Sequence, residues 1–114
     1  MKNKAHNLTA YASGYELLAY KLLDQLSRVQ RYQRPPDQIR YQRPDGSWHQ
    51  YHPDILVEYT DGGAPDLIEV KMSWQLVHPA HKPIIDAKFT AARRWCTDHG
   101  IQFCVWTEED LKVA

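Results

Sequence analysis

Apolar side chains recur along this chain in two rhythms, and the switches between them mark out its elements. Tyr15, Leu18, Leu22 and Leu26 stand three and four residues apart, the spacing of one helical face, which predicts a helix from Ser13 to about Leu26. Ser13 followed by Glu16 fits a capping box, with Glu16 reaching back to the Ser13 backbone. Residues 29–33 and 38–42 flank Pro35-Pro36, which bars continued helix, and residues 39–43 read as a strand. Pro44-Asp45-Gly46-Ser47 is a turn, followed by a longer strand over about 50–60. Asp61-Gly62-Gly63-Ala64-Pro65 turns the chain again into a strand over 67–72. Residues 73–83, with two prolines and two histidines, read as a loop. Ile85, Phe89, Ala92 and Cys96 restore the helical period, and Gly100 is placed to end that helix. A strand over 101–106 follows, and Thr107-x-x-Asp110 is a start for a last short helix. The order α-β-β-β-α-β predicts an α/β domain, a mixed sheet flanked by helices. Residues 1–12 read as a loose N-terminal arm, and residues 13–114 as a single domain.

Composition narrows the class. With 114 residues the chain can build one core and not two. No apolar run approaches the roughly 18 residues of a membrane span, and the N-terminus lacks the apolar stretch of a secretory signal. Cys96 and Cys104 have no metal or disulfide spacing and read as two reduced thiols, so a cytoplasmic protein is expected. The net charge is zero, which by itself disfavours nucleic acid. Its distribution does the opposite: residues 1–43 hold eight basic side chains against Glu16, Asp24 and Asp37, and the remainder is acidic to the same extent.

The chemistry concentrates in His52-Pro53-Asp54-Ile55-Leu56-Val57-Glu58-Tyr59 and Asp66-Leu67-Ile68-Glu69-Val70-Lys71. Alternation puts Ile55, Val57 and Tyr59 on one strand face and Asp54, Leu56 and Glu58 on the other. In the second strand Ile68, Val70 and Met72 oppose Leu67, Glu69 and Lys71. Making the apolar faces coincide sets Asp54 opposite Lys71 and Leu56 opposite Glu69, so Asp54, Glu69 and Lys71 share one face. Two carboxylates beside a lysine suit a hard divalent cation such as Mg²⁺, with the Val70 carbonyl as a further oxygen ligand. A water activated there would attack phosphorus, with Lys71 orienting it or stabilising the developing charge. An isolated Glu-x-Lys would be an ordinary surface ion pair contributing about 0–1 kcal/mol. The preceding Pro-Asp, the hairpin and the element order decide against that here.

These residues resemble the PD-(D/E)xK nuclease superfamily: Pro53-Asp54 matches its first element and Glu69-Val70-Lys71 its second. The superfamily core is also α-β-β-β-α-β, restriction-endonuclease-like, and it covers the chain from Ser13 onward. The wording is most similar to the nuclease domain of TnsA-type transposon endonucleases, through Tyr51 to Tyr59, Asp61-Gly62, Ile68 to Lys71, Ala91-Ala92-Arg93, Gly100 to Phe103 and Thr107-Glu108. The resemblance implies metal-dependent hydrolysis of DNA phosphodiesters, with Asp54 and Glu69 binding Mg²⁺ or Mn²⁺ and Lys71 assisting the nucleophile. It also implies a glutamate on the first helix, so Glu16 has two readings, helix cap and metal-site carboxylate. TnsA-type proteins carry a second, C-terminal domain, and this chain reads as the nuclease core alone. The resemblance therefore bears on the chemistry more than on transposition, and a phage, mobile-element or repair role is open.

DNA is the expected partner. Arg28, Arg31, Arg34, Arg40 and Arg43 alternate with Tyr32, Tyr41 and Trp48, as on a phosphate-contacting edge. His52 and Lys88 join them as candidate phosphate contacts, whereas His78 and His81 read as ordinary loop histidines and Trp74 as a dimer or DNA contact. The alternatives to a DNA endonuclease are a Holliday-junction or other branched-DNA resolvase acting as a homodimer, and a non-catalytic DNA- or protein-binding module. A transposase or recombination protein is a further candidate partner.

Overall fold

The first helix is seated by Ala19, Tyr20 and Leu23, not by the leucine stripe that its spacing advertises. In a computed structural model, which describes residues 5–6, 14–35 and 37–112, helix α1 spans Gly14–Gln25. Ala19, Tyr20 and Leu23 are buried, while Tyr15, Leu18 and Leu26 are exposed. The helix is apolar on most of its circumference, so the period alone does not choose a face. Aromatic contact chooses it: the Tyr20 ring stacks on Tyr32 at 5.2 Å, and the Tyr32 hydroxyl donates to Asp24 at 3.1 Å. The predicted Ser13 cap lies outside the described residues.

The remaining elements are strands β1 (Ala5–His6), β2 (Val29–Gln33), β3 (Ile39–Gln42), β4 (Trp48–Tyr51), β5 (Ile55–Tyr59) and β6 (Asp66–Val70), helices α2 (Ser73–Val77) and α3 (Lys82–His99), and strand β7 (Gln102–Trp106). Five strands form one mixed sheet in the order β1-β2-β5-β6-β7, with β2-β5 and β5-β6 antiparallel and β1-β2 and β6-β7 parallel. This is the α/β architecture expected, with differences in its parts. The first core strand is β2, whereas the predicted 39–43 strand, as β3, pairs with β4 in a separate two-stranded sheet. The predicted 50–60 strand breaks at His52-Pro53-Asp54, because a buried proline has no N–H for the ladder and the chain changes sheets there. Part of the predicted 73–83 loop is helix α2, which ends before Pro79. Ala5–His6, inside the segment read as a loose arm, lie parallel to β2.

Helix α3 follows its prediction closely. Pro83 sits in its first turn, where a missing N–H costs no intrahelical bond, and Gly100 closes it in the left-handed region at φ 68°. Its buried residues are Ile85, Phe89, Ala92 and Cys96, the predicted stripe. After β7, Thr107 donates its N–H to Asp110 at 2.8 Å and the chain makes a hydrogen-bonded turn, not the short helix expected.

The result is three layers. On one face of the sheet, Val29, Tyr32, Ile55, Val57 and Ile68 meet Ala19, Tyr20 and Leu23 of α1. On the other, Leu67 meets Ala92 and Cys96 of α3 and Ile39, Tyr41 and Tyr51 of the β3-β4 hairpin. Both faces are covered, so any polar group on the inner strands must find a partner or a function. No helix among the described residues is long and apolar enough to cross a membrane.

The seating of α1 predicts a contrast. Leu23→Ala, at a position 1% exposed, should lower the unfolding free energy by about 2–5 kcal/mol in urea denaturation. Leu18→Ala should change it by no more than about 0.5 kcal/mol. Equal losses would mean that α1 is seated on its leucine stripe instead.

Candidate active site

Strands β5 and β6 pair as Ile55↔Ile68, Leu56↔Leu67 and Val57↔Asp66. The faces are those predicted, but the register is two residues tighter: Asp54 comes level with Glu69, and Leu56 faces Leu67 instead of Glu69. Matching apolar faces fixes only the parity of the register. The turn picks its value, through the Asp61 carboxylate accepting the Gly63 N–H at 2.9 Å and the Tyr59 hydroxyl bonding Asp66 across the hairpin.

The tighter register interlocks the two carboxylates. The Asp54 N–H donates to Glu69 Oε1 at 3.2 Å, and the Val70 N–H donates to Asp54 Oδ2 at 2.9 Å. Glu69 is only 4% exposed and is the buried charged side chain among the described residues. Burial pushes its carboxyl up from the ordinary range to about 8, and the Asp54 charge pushes the same way, while Lys71 pulls back. Asp54 is raised for the same first reason, burial, against the Val70 N–H, Lys71 and Arg34. Lys71 follows β6 directly, and its N–H bonds the Trp106 carbonyl at 2.9 Å, which extends the edge toward β7.

Glu16 approaches this pair from α1. Its carboxyl is raised by burial and by Asp54, and lowered by Arg34, Tyr20 and Lys71. The Arg34 guanidinium lies 3.4 Å from Glu16 Oε2. Glu16 thus faces the Asp54 corner through an arginine clamp. Among the described residues no three His, Cys, Asp or Glu side chains converge as a ready cage. A pair of carboxylates fits Mg²⁺ or Mn²⁺, which keep waters and take few protein oxygens. The chemistry of the donor set fits as well: a dication would offset the cost of burying charge that raises both acids.

This geometry is joined by a sequence relationship. The TnsA-like endonuclease N-terminal family matches residues 26–108. The chain belongs to that family. The matched segment of this TnsA-like nuclease domain contains Asp54, Glu69 and Lys71, and begins after Glu16. No curated protein matches the chain significantly.

The basic side chains of the TnsA-like domain fall into separate groups. Arg28 lies over the Tyr59 ring at 4.1 Å and 3.3 Å from Asp61, and Arg31 pairs with Glu58, both toward the sheet end remote from Asp54. Arg34 is at the carboxylate corner. Arg40 stacks over Trp48 at 4.6 Å, and Arg43 donates to the Tyr41 hydroxyl at 3.1 Å, both on the β3-β4 hairpin. Lys88 of α3 lies over the Tyr41 and Tyr51 rings at 5.6 and 5.8 Å. His52 is exposed at the β4-β5 junction.

Tyr51 is the neighbour that the sequence did not single out. It is buried with Leu67 and Cys96, its ionisation opposed by burial and by Glu69, and its hydroxyl has no hydrogen-bond partner among the described residues. Its position three residues before Asp54 gave no signal, because the break at Pro53 hides which sheet it joins. The cavity of about 470 Å³ between β3 and α3, lined by Tyr41, Trp48, Arg94 and Trp95 among others, includes none of Glu16, Asp54, Glu69 and Lys71.

The raised acids predict how stability follows pH. A folded pKa above the unfolded value contributes stability that is full below about 4.5 and lost as pH rises toward about 8. In metal-free buffer, Glu69→Gln should therefore melt above the wild type at pH 8, with the gap closing toward pH 4.5. Identical melting profiles across that range would contradict the assignment.

Proposed function

We propose that this TnsA-like domain is a divalent-metal-dependent DNA endonuclease that hydrolyses phosphodiester bonds. The observation that carries the reading is the buried Asp54–Glu69 pair beside Lys71, inside the segment that matches the endonuclease family. Asp54, Glu69 and the Val70 carbonyl would hold Mg²⁺ or Mn²⁺, and Glu16, whose carboxyl feels the Asp54 charge, would join them. Such a cation supplies charge to a phosphate oxygen and lowers the pKa of a water that it holds.

The chain's own groups do the rest. Burial of Glu69 keeps the acids short of solvent, so they gain most from a cation and least from competing water. The Val70 N–H fixes Asp54 Oδ2 in place, and the Asp54 N–H fixes Glu69 Oε1, so neither carboxylate needs to reorganise. The Lys71 ammonium stabilises charge that develops on the phosphate oxygens and orients the attacking water. Arg34 holds Glu16 turned toward the corner. Arg40, Arg43, Lys88 and His52 are the groups best placed on the β3-β4 and α3 side to meet DNA phosphates, whereas Arg28 and Arg31 already have carboxylate partners.

The test uses supercoiled, linear, nicked and four-way-junction DNA with Mg²⁺ or Mn²⁺. Wild-type protein should cleave at least one of them and lose this activity in EDTA. Asp54→Ala and Lys71→Ala should each reduce the rate by about 10²-fold or more, with unchanged circular dichroism. Cleavage insensitive to EDTA or to both substitutions would refute the reading.

A further inference from the structure

Trp74 is fixed in place without being buried. Its side chain is 54% exposed, yet the rings of His78 and His81 meet it edge-on at 6.0 and 5.5 Å. The short helix that carries it is clipped to the far end of the chain: the Ser73 N–H and hydroxyl both donate to Glu108 at 2.9 Å. The Met72 N–H bonds the Gln75 side chain at 3.0 Å, and the Lys71 N–H bonds Trp106. A half-exposed indole gains little from burial, so this bracing does not serve the core. It holds an aromatic surface ready, with its conformational entropy already spent.

What that surface faces is a cavity of about 390 Å³, lined by Tyr15, Val70, Lys71, Met72, Trp74 and Gln75. Tyr15, from α1, is 47% exposed. The lining therefore brings together two open aromatic rings, short apolar walls and one cation, the lysine that also faces Asp54 and Glu69. No carboxylate belongs to it.

We propose that this cavity receives an unpaired nucleobase of the strand being cut, seated against Trp74 and Tyr15 while its neighbouring phosphate lies at Lys71. The proposal rests on the DNA-hydrolase reading and extends it to the kind of DNA. A base lies one sugar away from its phosphate, so a phosphate at Lys71 brings an attached base to the cavity only when that base has left the helix stack. Leaving the stack is easiest for a bulged, mismatched or single-stranded nucleotide. Aromatic stacking accepts any base, so the cavity selects for an unpaired position and not for a sequence. The lysine in the lining favours a polyanion over an apolar protein segment.

The full chain is titrated into labelled intact duplex and into the same duplex carrying one bulged nucleotide, with Ca²⁺ in place of Mg²⁺ to slow hydrolysis. Fluorescence anisotropy should show about tenfold tighter binding of the bulged DNA. Trp74→Ala should abolish that preference and leave intact-duplex affinity unchanged, and Trp74→Phe should keep most of it. Bulged DNA should quench the tryptophan emission of the wild type more than that of Trp74→Phe. Equal wild-type affinity for the two duplexes would overturn the proposal, as would an equal loss on both in Trp74→Ala. A Trp74→Ala protein that keeps the preference but loses self-association in sedimentation would also overturn it, and would assign the aromatic face to a second copy of the chain. A wild type that cuts intact and bulged DNA alike keeps the hydrolase reading and loses only this one. A wild type that neither binds nor cuts DNA refutes both.

Discussion

Two acids share a corner where water barely reaches, and each holds the other's strand through a backbone N–H. Burial is costly for both carboxylates, and at Glu69 the Asp54 charge adds to that cost. Burial pushes the Glu69 carboxyl up to about 8, which favours its protonated form, and the proposed cation would relieve the same cost. The surrounding elements make sense as the frame that imposes this cost. The β5-β6 register brings the acids level, Pro53 turns the chain at their side, and α3 with the β3-β4 hairpin seals the face that holds Glu69.

Burial on both faces gives the central strands their resolution. Ile55, Val57 and Ile68 serve α1, and Leu67 serves α3, so a one-residue slip of either strand would exchange two cores at once. The same arrangement leaves the aromatic and aliphatic surplus of α1 outside, where Tyr15 borders the cavity next to Lys71. Charge follows the same geography. Arg28 and Arg31 are matched by Asp61 and Glu58 at the remote end of the sheet, while Arg34 works at the corner through Glu16. The apparent string of arginines in the sequence is thus three separate groups in space.

Where one physical rule dominates, the sequence was readable. The α3 stripe of Ile85, Phe89, Ala92 and Cys96 has a polar opposite face and a glycine stop, and it folds as read. Alternation alone brought Asp54, Glu69 and Lys71 to one side of one hairpin. Where two rules compete, it was not. Helix α1 has apolar residues almost all round, so the Tyr20–Tyr32 stack, a long-range contact, settles its face. The 50–60 run looks continuous until the buried Pro53 divides it between two sheets. The register needed the turn's side-chain clasps, and β2 lacks regular alternation because a bulge lies between Val29 and Arg31. Tyr51 became visible only when that hairpin was folded against α3.

The proposed role of the Asp54–Glu69 corner is to hold a divalent cation. Calorimetric titration of the metal-free protein with Mn²⁺ tests it most directly, run in buffers of different ionisation enthalpy and at several pH values. If the corner holds the cation, binding is saturable, releases protons, tightens as pH rises toward about 8, and disappears in Glu69→Gln and Asp54→Asn. Binding that is absent from the wild type, or equal in the wild type and both variants, would contradict it.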